Sequence, residues 1–133
     1  MVPSEHSPGP RPDDVNATLD AHLAELQQLL TDDRERISNL IASLTGDLTS
    51  IVEATQLTAT DDEHDPEGST IAFERSRTST QLASANQHLV DVDTALQKIA
   101  EGTYGRCERC GTPISVERLL VRPAARTCIA CAA

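Results

Sequence analysis

The sequence predicts an all-α protein: a long antiparallel helical hairpin, packed as a coiled coil, followed by a small C4 zinc-finger module. Three observations predict it. Apolar residues recur in alternating steps of three and four along two long stretches, which is the heptad pattern. Four cysteines are gathered near the C-terminus in two C-x2-C pairs. Aromatic residues are nearly absent, with Phe73, Tyr104 and no Trp. A compact domain ordinarily relies on several large rings, each burying a large area. An aromatic content of 2% therefore argues against a sandwich, a barrel or an α/β enzyme. Long helices with narrow Leu/Ile seams fit better.

The elements follow in order. Residues 1–12, with Pro3, Pro8, Pro10 and Pro12, form a polar tail expected to be disordered. Asp13 or Asp14 suits an N-cap, and the first helix is expected over 14–58. Its seam runs through Leu19, Leu23, Leu26, Leu30, Ile37, Leu40/Ile41, Leu44, Leu48 and Ile51, and its register slips where 40 and 41 are both apolar. Gly46 inside it costs ~1 kcal/mol relative to Ala. The second seam is Ile71, Arg75, Thr78, Leu82, Ala85, Leu89, Val92, Leu96 and Ile99, weak at its start because of Arg75 and Thr78. Gly102, just past Glu101, is a natural stop. Within the link, Asp65-Pro66-Glu67 has the chemistry of a helix start: a capping acid, Pro at the first position and an acid in the first turn.

A short link makes two long helices antiparallel neighbours. Folding about residues 59–69 sets 58 against 71, 51 against 78, 44 against 85, 37 against 92 and 30 against 99, with both seams in register. The hairpin domain is thus 13–101, with arms of about 50 Å. The alternative is that the first helix joins a homodimeric coiled coil. Because the intrachain partner is already matched, a monomer is expected.

The net charge of −10 is unevenly spread. Residues 59–74 hold six acids and no base, while residues 101–133 hold five arginines and three acids. An acidic body repels phosphate backbones, and duplex binding needs a basic footprint. Direct sequence-specific DNA binding is therefore not expected. No stretch approaches the apolar length of a membrane span, and the N-terminus has no hydrophobic core of a secretory signal. A cytoplasmic location is expected, with no membrane contact. In that setting cysteines are metal ligands more often than disulfides.

Cys107-Glu108-Arg109-Cys110 and Cys128-Ile129-Ala130-Cys131 are separated by a 17-residue spacer. Each C-x2-C turn points two thiolates at one ion, and two turns close a tetrahedral S4 site. That site suits one structural Zn2+ and leaves no open position for catalysis. The competing readings are two redox-active pairs or an iron–sulfur cluster. The module at 102–133 is too small for a sufficient apolar core, so the metal should supply its folding energy. The four histidines are scattered, there is no Gly-rich phosphate loop, and no Ser/His/Asp set shares a pocket. An enzyme is not expected.

The residues around the cysteines carry a further signal. Tyr104-Gly105 precedes Cys107 and Cys110; Gly111, Ile114, Arg118-Leu119 and Pro123 follow before Cys128 and Cys131. This pattern, preceded directly by a helical hairpin, closely resembles the DksA/TraR family of bacterial transcription regulators. The resemblance covers roughly residues 15–133. It implies a regulator that binds RNA polymerase, inserts its coiled-coil tip through the secondary channel and rests its zinc module on the rim. The regulatory tip would comprise Asp61, Asp62, Asp65 and Glu67. The family's Asp-x-x-Asp-x-Ala tip is met at Asp62 and Asp65, with Glu67 in place of Ala; the alternative is a solvated acidic loop.

Longer family members continue beyond the last cysteine with a helix that helps build the globular part and bind ppGpp. Here the sequence stops at Ala133, so residues 14–29 are expected to pack on the zinc module instead. Dependence on ppGpp is left open. Arg118, Arg122 and Arg126 are candidate rim or anion contacts, or else ordinary solvated arginines with Arg118 held by local acids. Two other functions compete: a zinc-ribbon nucleic-acid binder, favoured by the arginines but opposed by the charge and the missing stacking rings, and a redox- or zinc-responsive stress adaptor.

Overall fold

The computed structural model describes the backbone of residues 12–58 and 66–132, and the side chains of 17–56 and 69–132. Helix α1 spans Pro12–Thr58 and α2 spans Pro66–Glu101. Pro at the first position of a helix costs nothing there, because its missing N–H would have no partner. That explains both starts, and it carries α1 two residues beyond the expected start at 14. The remaining elements are short: α3 at Val116–Val121 and a 3-10 turn at Ile129–Cys131. Among the described residues there is no strand, only an isolated bridge between Arg106 and Pro113. No described helix is long and apolar enough to cross a membrane.

The chain forms two compact units, and both long helices contribute to each. One unit comprises residues 33–90. Here Leu44 of α1 and Ala85 of α2 are buried. Seven residues further along α1 and seven back along α2, Ile51 and Thr78 line one cleft with Asp47, Ser50, Glu74, Arg77 and Gln81. Ile51 and Thr78, expected to be opposite one another in an antiparallel hairpin, thus share one cleft. The slip at 40/41 resolves in favour of Ile41, which is half-buried, while Leu40 is 50% exposed. Arg75 is exposed and Thr78 half-buried. The seam therefore thins toward the link, as its polar residues dictate.

The other unit comprises the described residues of 12–32 with those of 91–132, and it holds the larger share of the core among the described residues. Leu26 and Leu30 of α1, Val92 of α2, and Ile114 and Leu119 of the cysteine module are all fully buried. Helix α2 ends as its sequence demands. Gly102 takes a positive φ of 79°. Its N–H donates to the Ile99 carbonyl at 3.2 Å, and the Thr103 N–H donates to Lys98 at 2.9 Å. This double closure satisfies carbonyls that a helix end otherwise leaves bare.

Candidate metal centre

The module starts from two glycine-dependent turns. Gly105 has φ 93°, and a Cβ placed there would lie 2.8 Å from Leu19 Cδ2. Only glycine meets both the backbone and the space requirement. Leu19 and Leu23 of α1 line a cavity of about 190 Å3 with Ile99, Tyr104, Gly105 and Ile114. Residues near the start of α1 therefore do pack on the module, as expected from the sequence.

The first cysteine pair sits on a tight turn. Gly111 N–H donates to the Cys107 carbonyl at 2.9 Å, and Cys107 N–H to the Thr112 carbonyl at 2.9 Å. Gly111 supplies the positive φ, 75°, that this reversal needs. The Arg109 N–H points at Cys107 Sγ, 3.4 Å away, and the Thr112 hydroxyl lies 2.9 Å from Cys110 Sγ. The second pair is held by the 3-10 turn, in which Cys131 N–H donates to the Cys128 carbonyl at 3.1 Å. Helix α3 bridges the pairs. Ser115 caps it by accepting from Arg118 N–H at 3.3 Å. Its Val116 and Leu119 turn inward.

The four sulfurs of Cys107, Cys110, Cys128 and Cys131 lie within 4.8 Å of one another. Cys110 and Cys128 Sγ are 3.7 Å apart. A tetrahedron with Zn–S bonds of about 2.3 Å has edges of about 3.8 Å, so the donor set fits the ion. Cys107 is buried, Cys128 and Cys131 half-buried, and Cys110 exposed. Burial disfavours the Cys107 thiolate, yet hydrogen bonds from Cys128, Cys110 and Arg109 outweigh it and bring the thiol down to about 6. The Thr112 hydroxyl holds Cys110 below its ordinary range. Cys131 is pushed up to about 12 by hydrogen bonding with Cys128, Cys110 and Cys107. One structural zinc ion, held by these four thiolates, supplies the cross-link that a module of this size needs.

Four charged residues near the cysteines form a connected set of ion pairs. Glu108 takes Lys98 Nζ at 2.6 Å and Arg126 Nε at 3.0 Å. Arg126 also reaches Asp91 at 3.1 Å. The Lys98 and Arg126 contacts hold the Glu108 carboxyl below the usual range, and Glu108 raises Arg126 in return. Arg118 Nε donates to the Thr127 carbonyl at 3.0 Å. Of the three candidate rim arginines, Arg118 and Arg126 thus serve internal contacts, while Arg122 is exposed. The candidate tip residues Asp61, Asp62 and Asp65 lie outside the described residues, as does the side chain of Glu67. Sequence reasoning missed Lys98, Asp91 and Glu108. Their separations of 10, 18 and 35 residues from their partners leave no local signal.

Residues 102–133 match the prokaryotic dksA/traR C4-type zinc finger. An uncharacterized protein of Aquifex aeolicus is 52% identical over 44 residues, 33% of this chain and 30% of that protein. General stress protein 16O of Bacillus subtilis is 38% identical over 65 residues, 49% of this chain and 40% of that protein. The chain thus spans less than half the length of these relatives. The structure of transcription factor DksA2 from Pseudomonas aeruginosa superposes with a TM-score of 0.67 at 26% identity, covering 83% of this chain and 79% of that one. The zinc-finger match centred on the S4 site, together with a fold shared with DksA2 over most of the length, makes this chain similar to the DksA/TraR family.

Proposed function

We propose that this protein is a DksA-type transcription regulator that binds RNA polymerase and has no catalytic activity of its own. The observation that carries this reading is the likeness to transcription factor DksA2 over 83% of the chain. In finer terms, the acidic link between the two long helices enters the polymerase's secondary channel, and the zinc module rests on the rim. Six acids within residues 59–74 suit a site rich in Mg2+ and basic nucleotide-binding groups. The S4 donor set leaves no open metal position for chemistry. The protein acts as a cytoplasmic monomer in this reading. Arg122 is the candidate rim contact best placed to meet an anionic partner, since Arg118 and Arg126 already serve internal bonds.

Retention of core RNA polymerase by the immobilised protein tests the reading, with a purified transcription reaction as second readout. Retention together with altered transcript yield is expected. Failure to retain the polymerase at low salt overturns the proposal. The nucleic-acid-binding alternative predicts instead a salt-sensitive gel shift of free DNA or RNA.

A further inference from the structure

The two cysteine pairs are far apart in sequence, and bringing flexible loop ends together costs entropy. Here the closure is made by charged side chains. Glu108 lies inside the first pair and Arg126 lies two residues before the second. They are joined by Arg126 Nε to both carboxylate oxygens at 3.0 Å, and by Glu108 N–H to the Arg126 carbonyl at 2.9 Å. Arg109, the other spacer residue of the first pair, donates to the Cys131 carbonyl at 3.2 Å. One spacer side chain of the first turn therefore grips the segment leading into the second pair, and the other grips the second turn itself. Two residues of α2 complete the network: Lys98 on Glu108 at 2.6 Å and Asp91 on Arg126 at 3.1 Å. They are seven positions apart, two helical turns, and so share a face. Charges alternate around the set, and its members are only partly exposed, at 25–41%.

We propose that Lys98 and Asp91 are positioning residues of the zinc site, acting through Glu108 and Arg126 to hold the two C-x2-C turns at metal-binding separation. The end of α2 is then part of the metal centre, although it supplies no ligand. Residues that orient metal ligands through hydrogen bonds commonly change metal affinity by about 10- to 100-fold. Partly exposed ion pairs are screened by salt, so the contribution depends on ionic strength. This inference rests on the zinc site and is independent of polymerase binding.

The test is chelator competition on the full, zinc-loaded chain, following zinc transfer to a chromogenic chelator. Lys98→Met is expected to weaken zinc binding by about tenfold at low salt. Asp91→Asn should weaken it by a smaller factor, and Lys98→Arg should restore it. Zinc release should accelerate in parallel, and about 0.5 M NaCl should narrow the gap between parent and variant. Arg122→Met removes one exposed charge from the same module and should change nothing. Helicity by far-ultraviolet circular dichroism should match the parent throughout. The proposal fails if Lys98→Met and Asp91→Asn both hold zinc within twofold of the parent, or if Arg122→Met loses as much.

Discussion

The Tyr104 hydroxyl donates to the Pro123 carbonyl across 2.8 Å, a buried bond between residues 19 apart. It ties the entry of the zinc module to the segment that leads into its second cysteine pair. Burial drives the Tyr104 pKa well above its usual value. The protonated phenol is the form the fold holds, so this contribution is fully present below the unfolded value of about 10 and is lost as pH rises through the folded one. Tyr104 is the only Tyr and there is no Trp. Absorbance near 295 nm therefore reports this group alone. Ionisation is expected to coincide with loss of the module's structure. Free titration at about pH 10 with the structure intact would contradict this. Tyr104→Phe, which orphans the carbonyl, should cost about 1–3 kcal/mol.

Gly105→Ala should destabilise by about 2–4 kcal/mol, combining a left-handed backbone penalty with overpacking against Leu19. Adding Leu19→Ala should recover the steric part and leave the backbone part. Thermal unfolding of the two variants separates these contributions. Equal stability of Gly105→Ala and parent would show that α1 does not press on the turn.

Metal analysis should find one zinc per chain. Serine at Cys107, Cys110, Cys128 or Cys131, or zinc removal by chelator, should unfold residues 104–133 while most helicity persists, because the seam of residues 33–90 does not use the metal. Amide exchange would read this directly, with Cys107, Ile114 and Leu119 losing protection and Leu44 and Ala85 keeping it. Iron and a visible chromophore would overturn the zinc assignment.

Within residues 33–90, Leu44→Asp should cost several kcal/mol, since it places an unpaired charge at a buried position. Leu40→Asp, at a half-exposed neighbour, should cost less than about 1 kcal/mol. Chemical denaturation of the two variants measures the contrast. Equal losses would mean that Ile41 does not carry the seam.

The proposed regulatory tip is tested by Asp62→Asn with Asp65→Asn, which removes two charges and keeps shape. Polymerase binding should stay within a few-fold, and the effect on transcription in vitro should vanish. Asp65→Asn alone should do less, because Asn still suits a helix cap ahead of Pro66. Undiminished regulation by the double variant would reduce the segment to a solvated acidic loop.

The sequence alone carried the helices and the metal. Heptad spacing is local, and it identified Leu26, Leu30, Ile37, Leu44, Ala85 and Val92, all buried in the fold. Pro66 and Gly102 marked where α2 starts and stops, because each acts on its own backbone. The cysteine spacing marked the S4 set for the same reason: ligand turns are short-range geometry. Tertiary structure decided what depends on distant residues. It chose Ile41 over Leu40 at the register slip, and it set Leu19 against Gly105. It also turned Arg126 from a candidate anion contact into the partner of Glu108 and Asp91. Charged side chains pair with whatever the fold brings near, and no local pattern in the chain encodes that neighbour.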